Sequence, residues 1–235
     1  MTLTIQSQVP IIILETIVIV ILLKIVNKKL TNFNPLDKPT GIVFVCMWIV
    51  ETIDGFVEDI VSKDSVEKLG PYIGSIAIYI LFSNYIGLLG LDNPTGNYSV
   101  TLSLAIISWI MIQRTDIKFS GIKNYIHGFF EPIFLFVVPN FFGTIAPLIS
   151  MSLRLFGNIL AGSIIMSLVY QFCNFLSTSI ISLFTTKFSF NFIGPFLAAP
   201  LHAYFDLWSG FIQMFIFIML TMVFVGNKIP EDQKK

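Results

Sequence analysis

SMSLRLFGNILAG, residues 150–162, sets an arginine inside a long apolar run. Between Pro132 and Thr186, Arg154 is the sole charged residue. An arginine at the centre of a bilayer helix costs about 2.5–3.5 kcal/mol on insertion scales. A charge kept at that cost either serves the function or is neutralised by an acid within the fold. On a helix of about 3.6 residues per turn, Ser150, Arg154, Gly157, Asn158, Ala161 and Gly162 share one side. Phe156, Ile159 and Ile164 point elsewhere. Small residues let a second helix come close. The spacing thus predicts a close-packing face with a charge at its centre, its partner either a helix carrying a carboxylate or another helix of the same chain.

Composition sets the class. The 235 residues are 55% hydrophobic and 12% charged, with a mean hydropathy of +0.83. Soluble domains carry about 25% charged residues. The deficit specifies an all-α polytopic membrane protein, residues 1–235 forming a single membrane domain. The net charge of zero implies no nucleic-acid partner. Cys46 and Cys173 lie far apart in apolar surroundings and read as small core residues. The sequence carries no phosphate-binding glycine loop, no HExxH and no CxxC, so no cofactor, metal or catalytic site is expected. The work of such a chain is transport.

In chain order, Met1 to Gln8 lacks the basic start of a signal peptide, and the first lysine, Lys24, follows the apolar run. Val9 to Val26 is then a retained first span, interrupted by Glu15. Lys24, Lys28 and Lys29 mark its cytoplasmic end, which puts the N-terminus outside. Residues 32–41 read as a loop. Gly41 to Leu69 reads as one amphipathic interfacial helix: Glu51, Asp54, Glu58 and Asp59 take one side, and Val50, Ile53, Val57, Ile60 and Val61 the other. A water-exposed helix after the apolar start Ile42 to Trp48 is the alternative. Pro71 to Leu91 is a second span, broken by Asn84. An outer turn follows at LDNPTG. Val100 to Ile112 is a third span, short unless Asn97 to Ser99 extend it, with Arg114, Lys118 and Lys123 beyond it on the cytoplasmic side. The unit from 71 to 128 is a helical hairpin, after a unit from 1 to 70.

Residues 129–183 are too long for one upright helix, and so are residues 188–225, where Asp206 is the only charge. With a turn near Phe184 to Asn191 they predict a long, strongly tilted hairpin over 129–235. The architecture is five membrane-crossing helices plus one interfacial helix, with the C-terminus cytoplasmic. The last helix carries His202, Asp206, Ser209 and Gln213 on one face. Such a line of titratable and hydrogen-bonding groups suits a proton relay; the alternative is that Asp206 neutralises Arg154. His202 also reads as an interfacial histidine, and His127 as a surface one.

SLRLFGNILAG resembles subunit a of the membrane sector of F-type ATP synthases. NPTGNYSVTLSLA, residues 93–105, and FIQMFIFIMLTMVFVGNKI, residues 211–229, resemble the same family, weakly before residue 70. The resemblance implies a chain packed against a ring of c subunits, held by the b-subunit peripheral stalk and embedded in the lipid bilayer. Two offset half-channels then pass H+ or Na+, and no other small substrate, to and from ring carboxylates. It implies that Arg154 is the essential arginine separating the half-channels. It also implies roles for Asn158 and Gln213, and adds Ser163, Asp206, His202 and Ser209 as ion-path candidates. ATP is made on other subunits.

This sequence departs from the family at Ser163, where many bacterial relatives have an acid or a histidine. Asp206 stands where relatives have a small residue, a histidine or a glutamate. The expectation is a swap, with the channel's titratable group moved to the last helix. Asn97 stands where some relatives have an aspartate, and a glutamate frequent in the family upstream of Arg154 is missing, with Asn140 and Thr144 nearby instead. The rival readings are a secondary transporter with an Arg154–Asp206 pair at its substrate site, and a structural subunit of a respiratory complex. The expected location is a bacterial inner membrane, with the mitochondrial inner membrane as alternative.

Overall fold

The computed structural model describes residues 8–34, 38–182, 191 and 193–230. The N-terminal reading over 1–7, loop residues 35–37, the hairpin turn over 183–190 with 192, and the tail 231–235 lie outside the described residues. Those described are helical or in turns, with no strand among them. Five helical segments are long and apolar enough to cross a membrane: Val9–Thr31, Lys63–Leu89, Tyr98–Gly128, Phe134–Ser182 and Ile193–Gly226. The chain is an all-α polytopic membrane protein, with the expected number of crossings.

The elements are α1 (Gln8–Thr31), α2 (Ile42–Ile60), α3 (Val66–Tyr85), α4 (Tyr98–Gly128), α5 (Val137–Ser182), α6 (Ile193–His202) and α7 (Gly210–Gly226). A π-helical turn, Ala203–Ser209, joins α6 to α7 without a break. Three boundaries differ from the sequence reading. The amphipathic segment does not run unbroken from Gly41 to Leu69. It stops at Ile60, where the Val61 and Ser62 amides both donate to the Val57 carbonyl and the Ser62 and Ser65 hydroxyls bond at 2.8 Å. The second span begins at Val66 rather than Pro71. Pro71 sits inside the helix, in its second turn, where it gives up the bond to the Glu67 carbonyl. The third span is not short: α4 continues through Arg114, Lys118 and Lys123, and bends at Gly121, whose φ of 76° suits a residue without Cβ.

In α2, Glu51, Glu58 and Asp59 are exposed, whereas Val57 is buried. Val50, expected on the buried side, is exposed, as are Ile42, Phe44, Val45 and Trp48. An apolar surface on the first half and an acidic one on the second suit a helix lying at the membrane boundary.

α5 has 46 residues and is therefore roughly 69 Å long at about 1.5 Å per residue. That is more than twice the hydrocarbon thickness of a bilayer, about 30 Å, so the helix must run at a steep tilt. It pairs antiparallel with the last segment. Ser209 meets Asn158, His202 meets Tyr170, and Asn191 meets Ser177. Asn191 also caps α6, its Oδ1 accepting from the Gly194 amide at 2.8 Å. The core lies where α2, α3, α4, α5 and α7 meet, around Ile73, Ile80, Met151, Leu155, Phe217 and Met222. Lys228 Nζ closes one end of the bundle with a 2.6 Å ion pair to Asp116 of α4.

Two glycines in the last segment allow backbones to touch. A Cβ on Gly226 would stand 2.5 Å from the Ile60 carbonyl oxygen, and one on Gly210 would stand 3.1 Å from Asn84 Cβ. Backbone cannot yield as a side-chain tip can. Gly226→Val is therefore expected to lower stability by about 1–3 kcal/mol through overpacking. A reduced thermal midpoint of the detergent-extracted protein is the expected reading, whereas Gly157→Ala, with nothing within 4 Å of the added carbon, should leave it unchanged.

Candidate functional site

The site begins with what faces outward on α5. Met151, Ser152 and Leu155 turn into the bundle and are at most 1% exposed. Ser150, Leu153, Arg154, Leu160, Ala161, Ile164 and Leu168 are exposed. Among the described residues no carboxylate pairs with Arg154. The guanidinium thus stands on an open, mostly apolar helix face.

The predicted small-residue face divides in two. Asn158 and Gly162 turn toward the hairpin partner: Asn158 Oδ1 accepts from Ser209 Oγ at 2.8 Å, and a Cβ on Gly162 would touch the Phe205 ring at 3.5 Å. Ser150, Arg154, Gly157 and Ala161 remain on the open side. Arg154 therefore lies at the edge where the open face meets the hairpin.

Asp206 does not neutralise Arg154; its partner is His202, with Nδ1 to Oδ2 at 2.7 Å. The expected Arg154–Asp206 pair, and the transporter site built on it, is not formed. His202 and Asp206 are four apart, about one helical turn, so their side chains are neighbours. The Tyr170 hydroxyl lies 3.1 Å from His202 Nε2. A neutral imidazole donating from Nδ1 leaves Nε2 to accept from Tyr170, so one tautomer fits both contacts. The result is a Tyr170–His202–Asp206 chain between the hairpin arms, half-buried at its acid.

The stripe read from the sequence is kept in part. His202 bonds Tyr170 and Ser209 bonds Asn158, both on α5, whereas Gln213 is carried into the core at 6% exposure. Among the described residues, Gln213 Nε2 has no partner. Ser163 is exposed and its hydroxyl bonds back to the Leu160 carbonyl, away from this cluster. His127 is exposed beside Glu131, as expected of a surface histidine.

Several polar groups here were not singled out from the sequence. Asn84 of α3 is 1% exposed; its Nδ2 donates to the Gly210 carbonyl at 3.0 Å and its Oδ1 accepts from Thr95 at 3.0 Å. The Tyr85 hydroxyl donates to the Leu207 carbonyl. These bonds satisfy carbonyls around the π turn. Tyr170 was missed because a tyrosine in an apolar run carries no signal by itself. Asn84 carried one, a polar residue in a span, which the sequence reading took only as an interruption.

Comparison with known proteins identifies the family. The family model for the ATP synthase A chain matches residues 9–226. A Propionigenium modestum protein named ATP synthase subunit a, sodium ion specific, is 31% identical over 202 residues, covering 78% of this chain and 63% of that protein. Its length is thus matched over less than two thirds. A Mycoplasmoides gallisepticum ATP synthase subunit a is 32% identical over 222 residues, covering 90% of this chain and 74% of that one. A Bacillus pumilus ATP synthase subunit a is 29% identical over 230 residues, covering 92% and 88%. With a match across nearly the whole tilted-hairpin architecture and the Arg154 segment within it, the chain belongs to the ATP synthase A chain family.

Proposed function

We propose that this chain is the ion-translocating stator subunit of a rotary ATP synthase in a bacterial inner membrane, its N-terminus outside and its C-terminus cytoplasmic. One observation carries the reading. Arg154 is exposed on a helix face of small and apolar residues and has no acid partner among the described residues of its own chain. A guanidinium at membrane depth calls for a carboxylate on a neighbouring molecule. A ring of c subunits, each presenting a carboxylate, fits that need. The b-subunit stalk would hold the chain still while the ring turns, and the bilayer covers the remaining apolar surface.

In this mechanism the Arg154 charge favours the ionised ring carboxylate as it passes. Its positive field also repels cations, so ions cannot run straight from one half-channel to the other. Each ring site must take up an ion on one side, travel round through the lipid, and release it on the other. The Tyr170–His202–Asp206 chain supplies titratable groups between the hairpin arms, with Tyr170 about 24 Å along α5 from Arg154 at about 1.5 Å per residue. Asn158 and Ser209 lock the arms together beside the arginine. Gln213 offers a buried amide hydrogen for a passing carboxylate or water. The carried ion is H+ or Na+, and the three units of the chain, 1–70, 71–128 and 129–235, act as one membrane domain.

Arg154→Ala tests the first role. Removing one partner of a buried ion pair costs about 3–5 kcal/mol, which corresponds to roughly 100-fold or more in rate at about 1.4 kcal/mol per decade. ATP synthesis by membrane vesicles energised with a proton gradient should fall by that order, while c subunits still co-purify. Retained synthesis would refute the reading. For the second role, Asp206→Asn is expected to lower synthesis by at least about tenfold, as loss of a positioned proton carrier does. Ser163→Ala, which removes only a bond to its own backbone, should stay near the unmodified rate.

A further inference from the structure

Glu15 is a second acid at membrane depth, which the mechanism above leaves unused. It lies in the first span, yet is 2% exposed. Its Oε1 accepts from Ser83 Oγ of α3 at 2.6 Å, a short bond even for a carboxylate acceptor. Its Oε2 is buried and, among the described residues, has no partner. No basic side chain pairs with it among those residues. Tyr79, one turn before Ser83 on α3, is within electrostatic reach.

A carboxyl group kept only to tie α1 to α3 would be expected to have both oxygens satisfied, because an unpaired buried oxygen weakens the fold. The open oxygen and the expense of an acid in a bilayer point instead to a group that exchanges a proton. Its position supports this. Ser83 precedes Asn84, which bonds Thr95 on one side and the Gly210 carbonyl on the other. α1 packs against α3 and the Pro94–Gly96 turn. Glu15 therefore stands one residue from the polar junction at the π turn that carries Asp206.

We propose that Glu15 is a proton-exchanging residue on the ion path, lying between α1 and α3 upstream of the Asp206 cluster. It takes up a proton from the side of the membrane at which α1 begins and passes it toward the π turn; Ser83 orients the carboxyl group and relays through its hydroxyl. This inference rests on the stator reading. It places the acid missing at Ser163 on two other elements, α1 and the last helix, rather than on one.

The test uses the assembled complex in vesicles stripped of the catalytic head, with proton conduction measured per assembled complex. Glu15→Gln keeps an oxygen for Ser83 but cannot titrate. Its conduction is expected to fall by roughly 10–100-fold, as for loss of a positioned acid–base group. Glu15→Asp, and the exchange of Glu15→Ser with Ser83→Glu, each return a titratable group to the same contact and should recover at least half of the conduction. Glu15→Gln conducting like the unmodified complex would overturn the proposal. So would failure of both restoring variants, which would mean that the contact matters only for packing. If the unmodified complex conducts neither H+ nor Na+, the stator reading falls; if it conducts and Glu15→Gln does so equally, only this inference falls.

Discussion

The desolvation of charged and hydrogen-bonding groups at membrane depth is the constraint on which the structure depends. In a bilayer each such group must find a partner within the protein, face water, or face another molecule. Nearly every polar side chain in the spans obeys the first option. Asn84 bonds on both sides, Asn158 bonds Ser209, His202 bonds Asp206, and the hydroxyls of Thr16, Thr115 and Thr221 bond carbonyls one turn earlier. Against that background the exceptions carry information. Among the described residues, Arg154 looks outward with no acid beside it, Gln213 buries an unpaired amide nitrogen, and Glu15 buries an unpaired oxygen.

The π turn is the device that arranges these groups. An unbroken α-helix from Ile193 to Gly226 would carry His202, Asp206, Ser209 and Gln213 close to one line. Seven residues of wider winding shift the register after Asp206. They leave the histidine and the serine facing α5 and carry the glutamine into the core. They also change which backbone carbonyls are free, and Tyr85 and Asn84 of α3 meet the Leu207 and Gly210 carbonyls. The close approach of Gly210 to Asn84 makes this junction tight. The hairpin is thereby fixed to the rest of the bundle at the height of its polar groups, while its opposite face, bearing Arg154, stays open.

Much of this was legible in residue chemistry. Long uncharged runs gave five crossings, and their excess length gave the tilted hairpin. The lone arginine among small residues and the acid on the last helix were visible as costly charges at membrane depth, although the acid pairs with His202 rather than with the arginine. What escaped the sequence escaped for physical reasons. Helical spacing assumes a constant 3.6 residues per turn, so a π turn cannot be seen, and with it went the true neighbours of Ser209 and Gln213. Pro71 reads as a boundary, although the helix carries it in its second turn. Arg154 and Asp206 are the natural pair when only charge is counted; His202, four residues before Asp206, wins because it is local. Glu15 and Asn84 were visible as polar interruptions, but their burial and partners come from packing between elements distant in sequence.

The account stands on the claim that the open face of α5 around Arg154 packs against a carboxylate-bearing ring. The direct measurement is cysteine cross-linking in the assembled complex, with Cys46→Ser and Cys173→Ala removing the native thiols. Ala161→Cys and Gly157→Cys lie on the Arg154 side and would each be paired with a cysteine beside the ring carboxylate. The account predicts a disulfide-linked product between this chain and a c subunit from both positions on mild oxidation. No such product from either position, with both thiols instead fully open to a lipid-soluble maleimide, would contradict it.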